Sequence, residues 1–440
     1  MREIWIAILY RFTNNLAKKV LLCLLGYNQE LKNMVIKIIG CITTILFVLC
    51  FSSCTNSPNA DTTAINTLKI DLSRAKQEKE ISQIFSEISL VKLETTPNSL
   101  IGEINKIFLS NNLIYISDGL SVYLFDMNGQ FKKRLHNNGK GPGEYTGISD
   151  FVVGKNNTIE ILNSGLQKVI RYDSTFSFID EYKINRYAMN MALLKSGERL
   201  FHCGNDASGD QYDKILQYEK GKQKNKHLKI SPQRSLYLHY RRFDYFSYYN
   251  NGVITTDAHH DTVYFFDGEL FKPIYAIDIG AKAIPKHMYD KSYADIAHFS
   301  LNHLKGSGYS YGVFNFIESS HNLLFRYDER IDIKESEYGR LRPTFVHYNK
   351  PSNKSDIFYY IADDVNFIGK PRLNEFTTFF SQPNGYVAYA IQAYEFIRMY
   401  NQGKDNSRDF QNKGKVYPSD ELIKIAKPTD NPIIVIGKLK

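Results

Sequence analysis

The chain has 440 residues, 43% hydrophobic and 14% aromatic, with one Trp against 31 Tyr and 28 Phe, a globular composition that excludes an intrinsically disordered protein. Its formal charge is +9, but six Lys/Arg and two Glu upstream of Cys54 account for +4, leaving +5 downstream. With no run of five basic residues, that excess excludes a nucleic-acid footprint and leaves a mildly basic solvated surface.

Residues 1–33 precede a better start at Met34 and are expected to be a leader or a mis-set start. From Met34 the chain reads MVIKIIGCITTILFVLCFSSC: Lys37, an apolar stretch from Ile38 to Phe51, then Ser52 and Ser53 before Cys54. This predicts a secretory signal over 34–53. Its end resembles the lipobox of bacterial lipoproteins, with Phe51 in place of the usual Leu, which implies lipidation at Cys54. A membrane anchor through the lipid follows, and the cell envelope, with the outer membrane expected, is the location. Cys23, Cys41 and Cys50 precede the lipid site, so Cys203 is the one thiol left and no internal disulfide can form. The segment TNSPNADTTAINT after Cys54 is polar and aperiodic, and residues 54–80 are expected to be a tether plus a first strand.

The remaining chain, 81–440, repeats one pattern: a turn, an alternating strand, a loop and an aromatic strand ending near Asp. Asn111-Asn112 precedes LIYISD and then VYLFDMNGQF; Asn156-Asn157 precedes TIEILN and VIRYDSTF. Ser196-Gly197 opens a third copy and Asn250-Asn251-Gly252 a fourth. His321-Asn322 and Asn384-Gly385 open two looser ones. Strand starts at Ile114, Ile159, Leu200 and Val253 are 45, 41 and 53 residues apart, and the next two steps widen to 70 and 63. Asn-rich hairpin turns at a period in the forties predict an all-β, six-bladed β-propeller. Between Pro285 and Gly306, apolar residues at helical spacing predict one amphipathic helix inserted on it.

LVKLETTPNSLIGEINKI, YISDGLSVYLFDMNGQFKKRL, GKGPGEY at Gly139 to Tyr145, and DTVYFFDGELFKPIYAIDIG from Asp261 to Gly280 closely resemble the six-bladed β-propeller lipoproteins of Bacteroidota. The likeness covers about 81–400. It implies a fold related to NHL and TolB-like propellers and an envelope location, and it implies no catalytic residues.

Each candidate site has an ordinary structural alternative. GKGPGEY lacks the phosphate-loop spacing and is expected to be a tight connection, with Arg134, His136 and Glu144 as possible rim residues of a pocket. Gly308 to Gly312 matches G-x-S-x-G by chance, since a strand rather than a helix follows. His259 and Asp261 share a strand face and are the two residues of HHD able to approach one ion. Asp206, Asp210 and Asp213 fit no EF-hand. In RSLYLHYRRFDYFSYY, from Arg234 to Tyr249, Tyr240, Arg241 and Arg242 offer rings and guanidinium groups suited to a glycan or an acidic peptide. The function expected is a non-enzymatic binding module for a glycan, peptide or envelope protein. The alternative is a metal-dependent propeller hydrolase or lyase with ligands in the central channel. Neither cofactor nor metal is identified by the sequence.

Overall fold

The computed structural model describes residues 65–206, 212–234, 244–257, 260–334, 336–406 and 416–440. The leader, the signal segment 34–53 and Cys54 lie outside the described residues.

Three strands come first: β1 (Asn66–Lys69), β2 (Lys76–Glu80) and β3 (Phe85–Lys92). Each joins a sheet that later chain builds. Sheet I follows as β4 (Lys106–Ser110), β5 (Leu113–Ser117), β6 (Val122–Asp126) and β7 (Phe131–Leu135). Sheet II is β8 (Asp150–Val153), β9 (Ile159–Asn163), β10 (Lys168–Tyr172) and β11 (Phe178–Lys183). Sheet III is β12 (Asn190–Leu193), β13 (Arg199–His202), β14 (Asp213–Glu219) and β15 (Lys222–Lys229). Sheet IV is β16 (Phe246–Tyr249), β17 (Gly252–Asp257), β18 (His260–Phe266) and β19 (Phe271–Asp278), with β1 added parallel to β19. Sheet V is β20 (Ser310–Glu318), β21 (Asn322–Ile333), β22 (Ser336–Asn349) and β23 (Lys354–Ala362), with β2 parallel to β23. Sheet VI is β24 (Phe380–Ser381), β25 (Tyr386–Ile391) and β26 (Ile433–Leu439), completed by β3 antiparallel to β26.

Apart from the early strands β1, β2 and β3 at the sheet ends, the strands of each sheet run up and down in sequence order, and the first strands touch cyclically, β4 to β8, β12, β16, β20, β24 and back to β4. This is the all-β propeller arrangement that the repeats predict. The six sequence copies are the second strands, β5, β9, β13, β17, β21 and β25, and the Asn pairs turn the chain into them. Asn111 and Asn112 (φ 49° and 58°), Asn156 and Asn157 (56° and 58°) and Asn250 and Asn251 (43° and 65°) all have left-handed backbones. That is the type I′ geometry matching strand twist, which Asn tolerates better than most residues.

The core lies between consecutive sheets. On β9, Ile159 and Ile161 pack with Phe108 and Tyr115 of sheet I, while Leu162 packs with Met191 and Phe201 of sheet III. A strand buried on both faces therefore reads as nearly continuous apolar sequence. The last sheet is finished by the chain's early strand β3, which ties residues 85–92 to 433–439.

Two helical regions depart from expectation. The helix predicted over 285–306 is two short ones, α1 (Lys286–Tyr289) and α2 (Ile296–Phe299), the second continuing as a wider turn over Ser300–Leu304. Asp295 starts α2 afresh, its carboxylate accepting from the His298 N–H at 2.7 Å, and the Tyr293 hydroxyl donates to the Met288 carbonyl at 2.8 Å, folding the intervening residues. The sequence reading also misses α3 (Ala393–Asn406) and α4 (Pro418–Leu422), inserted between β25 and β26. Phe396 and Met399 of α3 bury against sheets V and VI. Its backbone crosses residues 368 and 369 so closely that a Cβ at Gly403 would stand 2.1 Å from the Ile368 carbonyl oxygen.

Candidate functional site

The first strands end together where the 1–2 hairpins turn, and a cavity of about 450 Å³ opens there in the middle of the ring. Every sheet contributes to it: Phe108, Val153, Leu193, Tyr248, Glu318 and Pro383 are among its lining residues. Phe108 and Tyr248, from sheets I and IV on opposite sides, meet edge to face at 6.2 Å and floor it. Burial pushes the Tyr248 hydroxyl up to about 12.

On one wall, Glu318 Oε1 accepts from the Tyr275 hydroxyl at 2.7 Å and from Lys350 Nζ at 2.9 Å. The same ammonium lies 5.0 Å over the Tyr249 ring. Glu318 Oε2 is buried and has no hydrogen-bond partner among the described residues. The hairpin tips around the mouth are tied to one another: Asn111 Nδ2 donates to Asn157 Oδ1 at 2.7 Å, and Lys195 Nζ donates to Asn251 Oδ1.

The opposite end of the channel carries charge. Lys106, two residues before Phe108, meets Asp150 Oδ1 at 2.6 Å and Asp244 Oδ2 at 3.7 Å. Asp150 Oδ2 also accepts from the Met191 N–H at 2.8 Å, joining sheet II to sheet III. Burial opposes the Lys106 charge, but the two carboxylates outweigh it and hold the ammonium protonated. One cation faces two anions, and burial together with the Asp150 charge pushes Asp244 up to about 6 against the pull of Lys106.

The residues singled out in the sequence lie away from the cavity or outside the described residues. Arg134 ends near Ser121, its Nε donating to Oγ at 3.0 Å, and stacks 5.2 Å over Tyr123. His136 Nδ1 shares a hydrogen bond with the same Oγ at 3.0 Å. Those two therefore meet, but at the outer strand of sheet I on the face opposite the cavity. Glu144 folds onto its own loop and accepts from the Gly141 N–H at 2.8 Å. The loop is a tight connection from β7 to β8, held by Tyr172 donating to the Gly143 carbonyl at 2.6 Å. Asp261 is exposed on β18 and accepts from the Tyr327 hydroxyl at 3.4 Å. Tyr240, Arg241, Arg242, His259 and Asp210 lie outside the described residues. Tyr248 and Tyr249, the last two rings of the same aromatic run, do reach the cavity.

Ser310 opens strand β20 rather than a strand-to-helix turn, and Asp213 pairs with Lys229 at 2.5 Å. Among the described residues no three His, Cys, Asp or Glu side chains gather closely enough to hold a metal ion, and no helix is long and apolar enough to cross a membrane. What signals the cavity is not a motif but a position, the last residues of each first strand and the turn after it.

Against solved structures, the chain is similar to a Bacteroides fragilis protein assigned to export, at 16% identity and a TM-score of 0.62, covering 86% of this chain and 99% of that one. A Bacteroides vulgatus member of the DUF4221 family aligns at 11% identity and a TM-score of 0.46, over 81% and 97% of the two chains. BamB of Moraxella catarrhalis aligns at 8% identity and a TM-score of 0.36, over 70% and 75%. No curated protein matches the sequence. A family model described as a domain of unknown function, DUF4934, matches residues 67–438, nearly the whole described chain, and the protein belongs to that family.

Proposed function

We propose that this chain is a six-bladed propeller lipoprotein, held in the cell envelope by acyl chains on Cys54, that binds a ligand without transforming it. The observation that carries the reading is the cavity of about 450 Å³ into which all six sheets project. Its size falls in the range of ligand sites, and its lining mixes apolar and aromatic side chains with a larger polar share that includes Lys195, Asn250, Asn251, Glu318 and Lys438. Glu318 is the most informative of these. One of its oxygens is occupied by Lys350 and Tyr275 and the other has no partner. Leaving a buried acceptor unpaired costs about 1–3 kcal/mol, so a ligand hydroxyl or N–H toward which the Glu318 carboxylate turns from its buried position would recover that cost. The rings of Phe108, Tyr248 and Tyr249 would bury its apolar face. A glycan or a peptide end supplies both features.

Thermal unfolding of the full chain against a panel of sugars and short peptides tests the binding. A ligand at 100 times its Kd should stabilise by about 2.7 kcal/mol, and Leu193→Trp, which fills the cavity, should remove that gain. An equal gain in the variant would place the ligand elsewhere, and stoichiometric metal retained after dialysis would count against a non-enzymatic role. The anchor is tested separately: labelled fatty acid should enter the wild type and not C54A, and label persisting in C54A would sink the lipoprotein reading.

A further inference from the structure

The central cavity does not stop at the ring. Val153, Leu193, Leu194 and Lys195 line it on one side and a second hollow, of about 370 Å³, on the other. That hollow shares Arg171 and Arg199 with a third of about 300 Å³, which Tyr182 and Lys220 also bound. The three form one groove over the seam between sheets II and III, running from the channel to the perimeter. Resting on the cavity as the binding site, we propose that this groove holds a linear acidic polysaccharide whose end unit sits in the cavity.

Charge is the first argument. The guanidinium groups in the walls are already matched, Arg199 Nε to Glu160 Oε2 at 2.9 Å and Arg171 Nε to Asp180 Oδ1 at 2.5 Å. Lys155, Lys195 and Lys220 line the same groove, are exposed, and have no carboxylate partner among the described residues. The uncompensated charge is therefore positive, and it follows the groove from mouth to rim.

The second argument is what the walls leave unpaired. Strands β9, β10 and β13 are hydrogen-bonded on both sides within their sheets, so along its middle the groove offers no strand edge to a peptide; edge strands are met only at its ends, β8 and β12 at the cavity and β11 at the perimeter. Recognition falls to side chains, with ammonium groups for carboxylates. Four strands at their usual spacing give the groove a reach of about 14 Å, the length of a short oligosaccharide.

Titration calorimetry on the full chain with oligogalacturonates from monomer to hexamer provides the test, with a neutral glucan hexamer and polyglutamate as comparisons. Affinity should tighten about ten-fold over the first few units and then level, weaken with salt, and exceed that for either comparison. In K155E/K220E the hexamer should bind within about two-fold of the monomer, whose own affinity is unchanged. No gain with length, or full gain in that variant, overturns the groove; monomer binding that L193W abolishes would then leave the cavity reading intact. A hexamer that binds through the lysines and ignores L193W would instead sink the cavity reading. Equal binding of polyglutamate overturns the polysaccharide assignment in favour of an acidic peptide.

Discussion

Replacing Lys106 by Met would remove the cation from a site where its two carboxylates cannot follow it into water. The Lys106 side chain is 9% exposed and that of Asp150 1%, and breaking a buried pair by deleting one partner costs about 3–5 kcal/mol. Asp150 keeps its bonds from the Phe151 and Met191 N–H groups, which favours the lower end of that range. The loss should depend on pH with a definite sign. Asp244 titrates at about 6 with Lys106 beside it and higher without it, against about 3.9 in the unfolded chain. Between those values the folded state binds the extra proton, so stability rises as pH falls, and it rises further in the variant. Urea denaturation followed by circular dichroism at pH 7.5 and pH 5 should show a penalty of about 3–5 kcal/mol at the higher pH, smaller by at least about 1 kcal/mol at the lower. A penalty under about 1 kcal/mol, or one that ignores pH, would mean that the cluster is solvated and the reasoning is wrong.

Phe396→Ala should cost about 3–5 kcal/mol in the same assay, because the ring is fully buried and packs 5.1 Å from that of Phe367; a loss under about 1 kcal/mol would mean that α3 is not seated on the core. Gly403→Ala should cost about 1–3 kcal/mol, since the new methyl would meet the Ile368 carbonyl and lift the helix, and a neutral result would contradict that approach. Burial pushes His347 down to about 4, so the unfolded chain takes up a proton that the folded one refuses. Stability supplied by this group is present above about 6.5 and lost as pH falls toward 4, by up to about 3 kcal/mol. His347→Gln should flatten that part of the curve, and an unchanged acid limb would refute it.

The repeat was legible because its signals are local. Asn111-Asn112 and Asn156-Asn157 announce type I′ turns, and the strands after them carry the apolar runs that burial on both faces demands. Spacing beyond Val253 hid its cause. Only the α1–α2 insertion was anticipated there, and as one helix, because apolar spacing shows a helical face but not that Asp295 restarts it. Helix α3 carried the signal too, with Ala393, Phe396, Met399, Tyr400 and Gly403 on one side, yet it lies inside what the period presents as a strand-to-strand step. The cavity was illegible for a different reason. Phe108, Leu193 and Glu318 belong to different sheets and are distant in sequence, so no window contains two of them. Arg134, His136 and Glu144 drew notice as a polar cluster, and the fold uses them to hold turns at the edge of sheet I.

The two ends of the channel divide labour in a way that the ring imposes. First strands from six sheets converge on one axis, where their side chains face each other with no room for a shared hydrophobic core of ordinary width. At the Lys106 end the chain resolves this with opposite charges, which draw sheets I, II and IV together, while Asp150 reaches on to sheet III. Such contacts are directional and tolerate little displacement, so they set the spacing of the sheets. At the hairpin end the sheets are linked by uncharged or singly charged bonds, at their tips from Asn111 to Asn157 and Lys195 to Asn251 and beside the cavity from Gln382 to the Leu109 N–H and the Ile107 carbonyl, and a cavity remains between them. A ligand in that space would not need to build the ring, only to fill the end that the charges at the other end have already held at fixed width. That preorganisation lowers the ordering cost of binding, and it ties the two experiments together. Lys106→Met should loosen the cavity as well as destabilise the fold, weakening any ligand that Leu193→Trp excludes, even though Lys106 does not line the cavity.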